Sequence, residues 1–71
     1  MTYNEILNKF GIKLKYLRLL KNMTQEELAE QLSVDSHYLS DIECGRRNIT
    51  LKTVYRLAQA LNINISELFN T

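Results

Sequence analysis

Apolar side chains recur along this chain at intervals of three and four, the spacing of one helix face, and never alternate over a strand's length. The pattern predicts five helices and no sheet. Leu7, Phe10, Leu14 and Leu17 form one stripe of a first helix over about residues 4–21, and Asn22 is suited to a left-handed residue at its end. A second helix over about 25–32 buries Leu28, Ala29 and Leu32 and opens on Thr24 with Glu27 three residues on, the signature of a capping box. A third, over about 36–44, follows Asp35 as cap, turns Leu39 and Ile42 inward and stops at Gly45. A fourth, over about 51–61, starts from Thr50 and buries Val54, Leu57, Ala58 and Leu61, with Asn62 closing it. Ser66-Glu67-Leu68-Phe69 reads as a short fifth helix capped by Ser66.

Only Ser33-Val34-Asp35 separate the second and third helices, a length that suits a helix-turn-helix unit over about residues 25–44. Ala29 supplies the small side chain that two closely crossing helices need. The third helix then shows a distinctive outer side. At about 100° per residue from Leu39, Ser40, Cys44, His37 and Asp41 lie between about 100° and 200°, away from the core, with Tyr38 on the flank. Short donors and acceptors of this kind match the base edges of the DNA major groove. The helix N-terminus is also electropositive, which favours phosphate.

The 71 residues allow a single domain, and so small a core needs support from helix packing or self-association. Disulfides are excluded, as is a cysteine-based zinc site, because Cys44 is the only cysteine. No apolar run is long enough to span a bilayer, and the start, Met1-Thr2-Tyr3-Asn4-Glu5, does not resemble a signal peptide, so a cytoplasmic protein is expected. Net charge is only +1, but it is segregated. Residues 1–22 carry five Lys/Arg against one acid, 23–45 carry six acids and no Lys/Arg, and 46–71 carry four Lys/Arg against one acid. Arg46 and Arg47 stand beside the outer face of the third helix, where phosphate contact is expected, and Asp41 is within reach of either. His37, the one histidine, lacks a second ligand for a metal beyond Asp41. Cys44 sits at a helix C-terminus, which disfavours the reactive thiolate. With no nucleophile–base pair, phosphate loop or metal set, an enzyme is not expected, and no cofactor is implied.

The run Met23-Thr24-Gln25-Glu26-Glu27-Leu28-Ala29-Glu30-Gln31-Leu32, with Tyr38-Leu39-Ser40-Asp41-Ile42-Glu43-Cys44-Gly45-Arg46-Arg47-Asn48-Ile49-Thr50-Leu51, resembles the phage repressor/Cro type of helix-turn-helix, the Xre-like family, over about residues 10–69. Within that family the look is nearest to the controller proteins of restriction–modification systems. The resemblance implies an all-α, five-helix, repressor-like DNA-binding domain that regulates transcription as a homodimer on double-stranded DNA, with an inverted-repeat operator. It implies that Ser36, His37, Ser40 and Asp41 face bases, and that Gln25, Tyr38, Arg46 and Asn48 reach phosphates. It also implies an ion pair between Arg18 and Glu43, whose positions on their helices agree. Two departures stand out. Ser33 occupies a turn position that is usually glycine, and the third helix carries Ser, His and Asp where Arg, Lys and Gln are commoner readers.

For a two-fold interface the candidates are Ile63, Ile65, Leu68 and Phe69, of which some must close the core. A second apolar surface, Ile12-Tyr16-Leu19, lies opposite the core face of the first helix. It supports an alternative role as a protein-interaction module of the same fold, such as an antitoxin-like partner.

Overall fold

Each element of the fold begins at a residue whose side chain satisfies the free N–H groups of a first helical turn. The computed structural model describes residues 1–70 and contains four α-helices, α1 (Tyr3–Leu20), α2 (Gln25–Leu32), α3 (Ser36–Glu43) and α4 (Leu51–Leu61), followed by a 3₁₀ turn, Ile65–Leu68. Thr2 opens α1 and Thr24 opens α2, each in a capping box with the glutamate three residues on, Glu5 and Glu27. Asp35 caps α3 by accepting from the His37 N–H at 2.6 Å, and Thr50 caps α4 by accepting from that of Thr53 at 3.1 Å.

The expected fifth α-helix is instead this 3₁₀ turn, and its cap is Asn64 rather than Ser66. The Asn64 carboxamide accepts from the Ser66 N–H at 3.0 Å while Glu67 accepts from that of Asn64 at 3.0 Å, so the segment begins two residues earlier than Ser66 would place it. Four residues are too few for a sustained α-helical ladder, and i→i+3 bonds close the turn, from Glu67 N–H to Asn64 O and from Phe69 N–H to Ser66 O.

Four left-handed residues, Asn22, Ser33, Gly45 and Asn62, follow the ends of α1–α4. At Ser33, φ is 58°, a conformation that costs a serine about 1 kcal/mol relative to glycine. The glycine substitution would itself loosen the unfolded chain, which limits the gain.

Phe10, Leu14 and Leu17 of α1, Leu28 and Leu32 of α2, Leu39 and Ile42 of α3, and Val54, Leu57 and Leu61 of α4 converge on one core, with Leu68 inserted from the 3₁₀ turn. Leu68 is 1% exposed, so it belongs to the core and is not free to meet a partner. The α1–α3 crossing is closer than the apolar stripe suggests. A Cβ on Gly11 would lie 2.5 Å from the Ile42 carbonyl oxygen and would also collide with that of Glu43. Glycine at position 11 therefore sets how near α3 lies to α1.

Candidate nucleic-acid interface

The three residues Ser33–Asp35 turn the chain from α2 into α3 and hold α3 against both α1 and α2. The Val34 N–H donates to the Ala29 carbonyl at 3.0 Å, and Ala29 itself is buried at the crossing. Arg56 of α4 donates to the Leu32 carbonyl at the C-terminus of α2. That clamp joins residues 24 positions apart and has no local signature in the sequence.

Behind α3, Arg18 and Glu43 form a buried, two-pronged ion pair. Arg18 Nε donates to Glu43 Oε2 at 2.7 Å and Nη2 to Oε1 at 3.1 Å, with side chains only 6% and 2% exposed. The remaining guanidinium nitrogen donates to the Met23 carbonyl at 2.7 Å, just before α2. Gln25 Nε2 then donates to Glu43 Oε1 at 3.0 Å. Glu43 can only accept, so this bond fixes which way the Gln25 carboxamide points. The ion pair thus ties three elements together at the N-terminus of α2 and orients Gln25, for which the family resemblance implies a phosphate contact.

On the opposite side of α3, His37 is exposed and Ser36, Ser40 and Asp41 are half-buried. His37, Ser40 and Asp41 lie on the outer side of α3, Ser36 stands at its N-terminus, and Cys44 is exposed just beyond its last turn. Gly45, at φ 71°, reverses the chain immediately after α3, and a Cβ there would collide with Asn8. The reversal brings Arg46 and Arg47 back alongside the helix. Arg46 Nε and Arg47 Nη2 each lie 3.5 Å from a different oxygen of Asp41. The Arg47 guanidinium also stacks over the Tyr38 ring, 4.7 Å from its centroid. Asn48 is exposed in the same loop. Tyr38, Asp41, Arg46 and Arg47 therefore form one connected cluster, in which Tyr38 is partnered by a cation and Asp41 by two. No group of three His, Cys, Asp or Glu among the described residues is arranged to hold a metal.

The other candidate surfaces separate clearly. Ile63 packs against the core, Ile65 is partly exposed and Phe69 is 56% exposed, with its ring 5.9 Å from that of Phe10. Phe69 helps to line an apolar cavity of about 310 Å³ with Met1, Tyr3, Ile6, Leu51 and Val54. Met1, Tyr3, Ile6 and Leu51 of this rim are exposed, and sequence patterning had not joined them to the C-terminal turn. Ile12, Tyr16 and Leu19 are exposed together on α1, as expected, and Leu20 adjoins them.

A helix-turn-helix braced from behind by a buried ion pair, with polar short side chains outward and two arginines at their edge, defines a DNA-binding transcriptional regulator rather than an enzyme. The family described as Helix-turn-helix matches residues 14–68, so the chain belongs to the helix-turn-helix family, of Xre-like type. It is 43% identical over 68 residues to the control protein C.MunI of Mycoplasma sp, covering 94% of this chain and 92% of that protein. Over 68 residues it is 38% identical to the control protein C.BamHI of Bacillus amyloliquefaciens, covering 94% and 84%. Its structure is similar to that of the restriction-modification controller protein C.AhdI from Aeromonas hydrophila, with a TM-score of 0.85 and 43% identity over 89% of this chain and 96% of that one. No helix among the described residues is long and apolar enough to cross a membrane.

Proposed function

We propose that this protein is a homodimeric, sequence-specific regulator of the restriction–modification controller type, acting at an inverted-repeat operator on the DNA of the cytoplasm. Each protomer presents α3 to a major groove, and the two half-sites lie about 34 Å apart. Ser36, His37, Ser40 and Asp41 face base edges, while Gln25, Tyr38, Arg46, Arg47 and Asn48 position the helix through phosphates. The observation that carries this reading is the continuity of the α3 outer face with the exposed Arg46-Arg47 edge, where selectivity and charge share one surface. The likeness to two control proteins and to C.AhdI supports the controller role.

The dimer forms through the apolar cavity rim, with Phe69 after the C-terminal turn and Tyr3 and Leu51 beside it, and extends to Ile65, exposed on that turn outside the cavity lining. Exposed aromatic and aliphatic side chains around an open apolar hollow supply the material of a self-complementary interface.

Selection from a random duplex library by the purified protein tests the whole reading. Enrichment of an inverted repeat is the expected result, and no enrichment at low salt and high protein concentration would overturn it in favour of the protein-interaction role. Arg46→Ala should then weaken binding to all duplexes alike and reduce the salt slope by about 1 per half-site. An unchanged slope would remove Arg46 from the phosphate contacts.

A further inference from the structure

We propose that Asp41 is a specificity-determining residue that works by holding, in the DNA-free protein, the two arginines that phosphates would otherwise take. This rests on the DNA-binding reading above and adds to it a reason for an acid in the reading face. Asp41 lies on the outer side of α3, where a carboxylate meets the negative field of a duplex. Its oxygens are divided between two cations, Oδ1 facing Arg46 Nε and Oδ2 facing Arg47 Nη2, each at 3.5 Å. The Arg46 N–H also donates to the Asp41 backbone carbonyl at 2.8 Å, which fixes the loop against the last turn of α3. Arg47 is held on its other side by the Tyr38 ring. The carboxylate thus has the place and charge of a phosphate oxygen pair. Both contacts are long, and the three side chains are 64%, 47% and 37% exposed, so the pairing is weak enough to be exchanged.

The exchange discriminates between sequences. When phosphates draw Arg46 and Arg47 away, Asp41 is left facing the groove without a cation. A base pair that offers an amine there, from cytosine N4 or adenine N6, gives the carboxylate a donor. A pair turned so that guanine N7 and O6, or thymine O4, face Asp41 instead leaves it uncompensated against the field of the DNA, and the complex pays for that desolvated charge. Random duplex offers the donor only by chance, so Asp41 weakens random binding more than cognate binding.

Asp41→Asn, measured by fluorescence anisotropy on the selected operator and on random duplex across a salt series, tests this directly. Asparagine keeps the shape and removes the charge. Affinity for random duplex should rise about tenfold across the series, and the ratio of operator to random affinity should fall. With both Arg46 and Arg47 replaced by alanine, the same Asp41→Asn change should produce at most about half of that gain in random binding. Unchanged random affinity, or an equal loss on both duplexes, would overturn the role of Asp41 while leaving the DNA-binding reading intact. A wild-type protein that binds no duplex would instead overturn the reading itself, and this inference with it.

Discussion

Replacing Arg18 by methionine should destabilise this protein far more than the removal of an ordinary charge. Methionine keeps most of the aliphatic stem but removes three hydrogen bonds, two to Glu43 and one to the Met23 carbonyl. Glu43, with its side chain 2% exposed, would be left with Gln25 as its one remaining side-chain donor. Breaking a buried pair from one side costs roughly 3–5 kcal/mol, because the surviving charge is stranded. A domain of 71 residues has a total stability of roughly 4–11 kcal/mol, so the loss consumes about a quarter of it or more. A melting midpoint should fall by at least about 12 °C.

Arg18→Met combined with Glu43→Leu removes both charges, and its stability should return to within about 1 kcal/mol of wild type. Urea unfolding followed by helical circular dichroism on the four proteins of the cycle measures the coupling. DNA affinity should nonetheless remain reduced in the stable double variant, because Gln25 has lost the acceptor that orients it. A single variant within 1 kcal/mol of wild type, or a double variant no more stable than the singles, would refute the reasoning that these charges are retained as a mutually neutralising buried unit.

Gly11→Ala should destabilise the fold although alanine is the better helix former by about 1 kcal/mol. The added Cβ meets backbone oxygens of α3 that cannot rotate away, and overpacking of this kind costs about 1–3 kcal/mol. Urea unfolding should show a net loss, and a gain would mean that α3 is not held against α1 as closely as described. The Glu27 carboxyl is held below its ordinary value of 4.5 by the Thr24 N–H and then by the Thr24 hydroxyl. Its capping contribution is therefore complete above the ordinary carboxylate range and is lost as pH falls through the lowered folded value. An NMR titration of the Glu27 side chain should show the low midpoint, and Thr24→Ala, which keeps the N–H and removes the hydroxyl, should move it part of the way back up; an ordinary midpoint in the wild-type protein would refute the assignment.

Local rules made much of this fold legible. Apolar spacing located four helices and their buried faces, because core contact at every third or fourth residue leaves a periodic trace. Thr24, Asp35, Thr50 and Asn62 were readable as caps because capping is an interaction within a few residues. The C-terminal turn was misjudged for the same reason. Both Asn64 and Ser66 suit a cap, and only the observed bonds show that Asn64 begins it. Within the site, the outer face of α3 followed from angle alone, and the Arg18–Glu43 pair from resemblance together with angle.

What spacing could not supply were the contacts between residues remote in the chain. The bond from Gln25 to Glu43 and that from Arg56 to the Leu32 carbonyl need helices already in place. So does the demand for glycine at position 11, which comes from carbonyls more than thirty residues away. The apolar residues at the C-terminus divided the same way. Their number showed that some must be buried and some exposed, but it took the packing of the 3₁₀ turn to send Leu68 into the core and leave Phe69 at its rim. Sequence thus determined which helices form and which faces they bury, since those are short-range choices of period and cap. Tertiary structure decided which polar groups pair and which apolar ones stay free, because both depend on distances that exist only after the helices have packed.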